Sequence, residues 1–189
     1  VLPANMRLLM ANMEVVLDQT RPQQFRIKKA LECIADRYDF CVIDNAPDIN
    51  VSTINALTAC DDVLIPVEID DNTTEGLKEL VSQIGYTKAE LNPELKNYWV
   101  FITKYDNKNL AQQQGAELIK ENGYPMLQTK IRFSRKVSES TYARKPIPVY
   151  SPRSLAAKDY KLLVSEYIQA AGLLFRQEGV SGVEERGEN

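Results

Sequence analysis

Histidine is absent from the 189 residues, which removes His-based triads, His general acids and most zinc sites. Cysteine occurs three times, at Cys33, Cys41 and Cys60, with no close pair. Two of the three fall in apolar stretches, which predicts reduced core thiols in a cytosolic protein rather than a disulfide or metal framework. No run approaches the ~18 consecutive apolar residues of a membrane span, and no secretory leader pattern precedes the first helical stretch. Internal repeats and low-complexity linkers are lacking too. The formal net charge of -3 gives no global pull toward nucleic acid or anionic membrane, so any such binding has to come from a local basic patch.

What is present describes an ordinary folded chain. An apolar share of 44% and a charged share of 26% suit one domain long enough to bury a core. That domain is expected over 1–176, with a flexible, Gly-rich and acidic tail over 177–189. The first residues read as the end of a strand, so the chain is expected to be a piece of a longer protein.

Met6, Leu9, Met10, Met13, Val16 and Leu17 form one helical stripe, and Ile27, Ala30, Leu31 and Ile34 a second; both are expected to pack into the core. Residues 40–43 read as a strand buried on both faces. Val51, Ile54 and Leu57 mark a short helix ending near Cys60, and 62–67 a second buried strand. A capping box at Asn72-Thr73-Thr74-Glu75 opens a helix carrying Leu77, Leu80, Val81 and Ile84. A strand over 97–103, a helix over 109–121 closed by Asn122-Gly123, a strand over 126–131 and a helix over 134–142 follow. Pro146 and Pro148 frame an extended link, and a last helix runs over 154–175 with Ala156, Tyr160, Leu163, Tyr167, Ala170 and Leu174 on one face. Strand and helix alternate nearly throughout, which predicts a mostly parallel sheet with helices on both faces.

One carboxylate stands out. Tyr38-Asp39-Phe40-Cys41-Val42-Ile43-Asp44-Asn45-Ala46-Pro47 is a short apolar run that ends in an acid and breaks at once. An acid at the carboxyl end of a buried strand sits where open α/β sheets bind ligands. The plain alternative is a polar residue opening a turn.

The order of segments around Asp44 resembles the ParA/Soj partition ATPases, within the ParA/MinD group of deviant Walker-type P-loop proteins. The matching stretches are Tyr38-Asp39, the apolar strand to Asp44-Asn45-Ala46-Pro47, Thr53-Ile54-Asn55-Ala56-Leu57, Val63-Leu64-Ile65-Pro66-Val67 and Glu75-Gly76-Leu77. Thr103-Lys104-Tyr105-Asp106, Val137-Ser138-Glu139-Ser140 and Lys145-Pro146-Ile147-Pro148 continue the likeness, which spans about 1–170. The resemblance implies an α/β, P-loop NTPase-like fold and a protein that uses ATP and magnesium. Asp44 takes the Walker-B place, holding Mg²⁺ through water, with Asp44 to Pro47 as the segment that senses the γ-phosphate. Asn45, Ala46 and Asp48 depart from the family's commoner residues there. The adenine end of the nucleotide falls near Thr103, Lys104 and 131–133, where Arg132 replaces the family's proline.

The family's G-x-x-x-x-G-K-[ST] loop does not occur in these residues, nor does its acidic motif that positions the attacking water. The expectation is the carboxyl-terminal two-thirds of a partition ATPase, lacking the amino-terminal strand and P-loop. No catalytic residue is expected in the chain, and the chain alone is expected to be inactive. The resemblance also implies a homodimer when ATP is bound, non-specific DNA contact, a ParB-type centromere-binding partner and a cytoplasmic, nucleoid-associated location. Lys108 and Lys136 align with the family's DNA-contacting arginines. With Arg135 they lie near Lys104, Lys130, Arg132, Arg144, Lys145 and Arg153, opposed between 130 and 153 only by Glu139. Such a cluster can neutralise phosphates; the plain alternative is a solvated charged face. A membrane-targeted division-site role would want a basic amphipathic carboxyl-terminal helix, and the acidic tail argues against it. A receiver-type phospho-acceptor role for Asp44 wants an acidic pair and a matched lysine that are not in place. The remaining alternative is a non-enzymatic DNA-binding or scaffolding relative that has lost the P-loop.

Overall fold

The computed structural model describes residues 7–18, 20, 22–46, 50–70 and 73–173. Its centre is a parallel pair of strands, β1 (Asp62–Val67) and β2 (Asn97–Ile102), in register from Asp62 opposite Asn97 to Val67 opposite Ile102. Side chains alternate across a strand, and β2 uses both sides. Val100 joins a core with Leu57, Ile65, Val67, Leu77, Ile84, Leu95 and Ile119. Trp99 and Phe101 join another with Leu127, Ile131, Tyr160, Leu163 and Tyr167. The first core draws on α3 (Val51–Ala59), α4 (Thr73–Glu90) and α5 (Leu110–Glu121). The second draws on the last helix, α8 (Leu155–Ala170). The sheet is therefore covered on both faces, as the alternation of segments predicts.

Helix starts follow local chemistry. Asn50, Asn109 and Ser154 accept backbone N–H bonds through their side chains at the starts of α3, α5 and α8, and Ser134 does the same for α6 (Arg135–Tyr142). Each satisfies a donor the helix cannot pair itself. Gly123, at φ +77, takes the left-handed turn after α5, a conformation that glycine adopts without steric penalty. The Asn72 cap lies outside the described residues. Buried Asn55 makes four bonds: it accepts from the amides of Arg26 and Ile27 and donates to the carbonyls of Gln23 and Val51. The asparagine of that matched motif thus caps α2 (Arg26–Glu32) from a neighbouring helix, in place of Phe25, which gives no side-chain cap.

Several expectations are corrected. Residues 40–46 carry no regular structure, and Val42 is 92% exposed with Phe40 and Tyr38 also open. A strand needs a paired edge, and these residues join no sheet ladder among the described residues. For the same reason the stripe on α1 (Arg7–Leu17) lacks a sheet face to cover, leaving Met10, Met13 and Leu17 exposed, and α2 buries no residue. The thiols are free; Cys33 and Cys41 are exposed rather than in the core, while half-buried Cys60 packs against the first core.

The 126–131 segment does run parallel to β2, but through one isolated bridge, Val100 to Met126, with a second just beyond both, Tyr105 to Arg132, rather than as a continuous strand. Between them the amides of Gln128 and Thr129 donate to the Glu166 carboxylate, at 2.5 and 2.9 Å. That bond pulls the backbone toward α8 and breaks the ladder. The proline link is instead a short helix, α7 (Ile147–Tyr150), since proline is tolerated in a first helical turn. Helix α8 stops at Ala170, with Gly172 at φ +65 closing it, short of the expected 175.

Candidate functional site

Three parallel segments end side by side. The Thr103 amide donates to Val67 O at 2.7 Å, and the Ile131 amide to Ile102 O at 2.8 Å. Beyond these ends the chain continues the pairing: the Tyr105 amide donates to Ile131 O at 2.9 Å and the Phe133 amide to Tyr105 O at 3.0 Å. Three of the expected nucleotide-edge residues, Thr103, Lys104 and Arg132, are thereby brought to one carboxyl edge, where α/β sheets place ligands.

Each of the charged residues there is held. Lys104 sits at φ +50, a region a non-glycine residue adopts at some cost, and its Nζ meets Glu68 Oε2 at 2.5 Å. Lys130 Nζ lies 4.4 Å from the centre of the Tyr105 ring, a cation–π geometry. Arg132 donates Nε to Asp159 Oδ2 at 2.9 Å and Nη2 to Oδ1 at 2.5 Å, and its amide adds a third bond at 3.1 Å. Burial pushes the Asp159 carboxyl up, yet the bonds and charge of Arg132 outweigh it and leave its pKa below the usual value. Glu166 behaves alike: burial raises it, and the hydrogen bonds from Thr129 and Gln128 bring it below the carboxylate norm.

The expected DNA-contact residues are exposed. The Lys108 amide donates to Asp106 Oδ1 at 2.9 Å, turning the chain into α5. Arg135 and Lys136 begin α6, and Lys136 Nζ meets Glu139 Oε2 at 2.6 Å. Glu139 also accepts from the Tyr150 hydroxyl at 3.1 Å. The Glu139 hydrogen bond raises the Lys136 pKa, and the same bond lowers that of Glu139. The patch therefore carries its own counter-charge at Lys136, while Arg135, Arg144, Lys145 and Arg153 are exposed around it. Asp44 is exposed in the irregular 40–46 segment, and among the described residues no hydrogen bond or ion pair ties it to Thr103, Lys104 or Arg132. Pro47 lies outside the described residues.

Sequence reasoning missed Glu68, Asp159 and Glu166. Glu68 follows β1 as Asp44 follows 40–43, so the same strand-end rule finds it. Asp159 and Glu166 fall on the apolar stripe of the last helix, where a carboxylate signals a buried partner.

The model of the AAA domain family (AAA_31) matches residues 1–97. Over 167 residues the chain is 36% identical to the sporulation initiation inhibitor protein Soj of Bacillus subtilis, covering 88% of this chain and 65% of that protein. It is 32% identical over 171 residues to the chromosome partitioning protein ParA of Caulobacter vibrioides, covering 89% and 63%. The chain thus spans slightly less than two thirds of the length of these curated relatives. Among solved structures, cobyrinic acid a,c-diamide synthase of Mycobacterium smegmatis superposes with a TM-score of 0.74 at 22% identity, over 90% of this chain and 62% of that one. The same synthase with bound ATP analog and magnesium gives 0.65 at 23% identity, over 80% and 64%. A plasmid partition protein of Borrelia burgdorferi gives 0.63 at 20% identity, over 84% and 58%. The fold is that of the P-loop NTPases, and the chain belongs to the ParA/Soj family of partition proteins.

Proposed function

We propose that this chain forms the carboxyl-terminal portion of a ParA-type ATPase that partitions a plasmid or chromosome in the cytoplasm. The observation that supports this best is the shared carboxyl edge, where Thr103, Lys104 and the segment carrying Arg132 meet. In this reading that edge borders the adenine end of ATP, and Asp44 with Pro47 faces the phosphates and a water-bound Mg²⁺. The ATP-bound form is a homodimer on the nucleoid, its Lys108, Arg135 and Lys136 meet DNA phosphates, and a ParB-type protein stimulates turnover.

The fit of this chain to magnesium-ATP is partial. The base end has a formed edge. The phosphate end has one exposed carboxylate, no group of three or more metal-ligating side chains among the described residues, and no G-x-x-x-x-G-K-[ST] loop in the sequence. ATP bound in the complete site supplies the phosphoryl chemistry; the residues here border the base and carry one magnesium-facing acid. The alternative is a non-enzymatic DNA-binding or scaffolding relative, which Mg²⁺-dependent ATP binding by the full gene product would discard.

DNA binding is tested by salt titration on the full product of the gene that encodes this chain. ATP is expected to raise affinity for DNA of unrelated sequences. The double substitution Arg135→Glu with Lys136→Glu is expected to lower the slope of log affinity against log salt by about two, one per lost phosphate contact. An unchanged slope discards the patch.

A further inference from the structure

We infer that Arg132 is a positioning residue: clamped to Asp159 of α8, it sets both the carboxyl edge beside Tyr105 and the start of α6. The inference rests on the proposed reading of those two regions as ligand-facing, and it assigns Arg132 a role distinct from direct contact with the nucleotide.

The geometry is that of a fastener. Asp159 is 4% exposed, and both its oxygens are engaged by one residue, Oδ2 by the Arg132 amide and Nε, Oδ1 by Nη2. A bidentate arginine–carboxylate pair is directional as well as strong. A third bond to the backbone fixes the main chain itself and not only a side chain. Two turns further along the same face of α8, Glu166 holds the amides of Gln128 and Thr129, so α8 anchors 128–132 at both ends. The restraint passes on in two directions. Tyr105 pairs with the backbone on either side of Arg132, which places Lys104 and Thr103. Two residues after Arg132, Ser134 caps α6, whose first residues are Arg135 and Lys136.

Arginine has five N–H donors, and three are left after Asp159 has taken Nε–H and one from Nη2. The Arg132 side chain is 43% exposed, so direct contact is the competing role that an experiment has to separate. Two measurements do so. The first is amide hydrogen exchange on this chain: Asp159→Asn is expected to speed exchange at Tyr105 and Phe133 by tenfold or more and to leave the middle of α4 unchanged. Equal exchange at Tyr105 and Phe133 overturns the inference. The second is binding of a fluorescent N-methylanthraniloyl ATP, with Mg²⁺, by the full gene product. Arg132→Gln and Asp159→Asn are expected to weaken it by similar factors, about tenfold, with the double variant no worse than either. A loss confined to Arg132→Gln, with Asp159→Asn unaffected, assigns Arg132 to direct contact and overturns the inference. If the unsubstituted protein binds no nucleotide, the proposed function falls and the exchange experiment alone decides the fastener. If Asp159→Asn fails to fold, Arg132→Gln carries the exchange test, with exchange at Tyr105 and Phe133 again expected to be tenfold or more faster; equal exchange overturns the inference.

Discussion

Asp159 is a charged residue in a helix face otherwise built from Ala156, Tyr160 and Leu163, and its effect on stability has a definite sign. Its pKa in the fold is lowered from 3.8, and that of Glu166 from 4.5. A depressed carboxylate pKa contributes stability that is full above the unfolded-state value and is lost as pH falls through the folded one. The groups facing them are the Arg132 guanidinium and amide for Asp159, and the Gln128 and Thr129 amides for Glu166. Urea unfolding is therefore expected to show Asp159→Asn less stable by about 2 kcal/mol at pH 7, the scale of charge-assisted hydrogen bonds to a partly exposed partner. The gap is expected to narrow once pH drops below about 4. A gap that is constant with pH contradicts the assignment. Cys60 gives a second residue-scale outcome. Burial first, then Asp61 and Asp62, push its thiol up to about 11, and thiolate is the reactive form. Mass-spectrometric alkylation of the native chain at pH 7.5 is expected to mark exposed Cys33 and Cys41 well before Cys60.

At the scale of elements, caps and turns were legible because their causes are local. Asn109, Ser134, Ser154 and Asn122-Gly123 each act within four residues of themselves, and each sits where the sequence placed it. What was not legible depends on distant partners. The strand over 126–131 is broken by Glu166, thirty-seven residues on from Thr129. The strand over 40–43 has the right composition but no edge to join among the described residues. Stripes of Met and Leu on α1 mark a helix correctly and say nothing of what covers it. The candidate site divides the same way: the family resemblance pointed to the edge of Thr103 and Lys104, whereas the partner of Arg132 came only from the fold. Helix α5 adds a testable contact. A Cβ on Gly115 would run into Ile69 Cγ2, in the segment that follows Glu68. Overpacking of that kind costs about 1–3 kcal/mol, against about 1 kcal/mol gained by replacing glycine in a helix. Gly115→Ala is expected to lower thermal stability by about 1 kcal/mol, and in an Ile69→Ala background to raise it. A stabilised Gly115→Ala single variant rules out the close approach.

For the whole molecule, the sheet covered on both faces, the family match and the parallel order of segments agree, while the phosphate end of the site is incomplete in these residues. The proposed division into a domain over 1–176 and a tail over 177–189 belongs to this scale. The most direct test of the central claim is calorimetric titration of ATP, with and without Mg²⁺, into that full product, the same product with Asp44→Ala, and this chain alone. The account predicts Mg²⁺-dependent binding by the full product, loss of the Mg²⁺ dependence with Asp44→Ala, and no binding by this chain. Mg²⁺-dependent binding that is indifferent to Asp44, or no ATP binding by the full product, would contradict it.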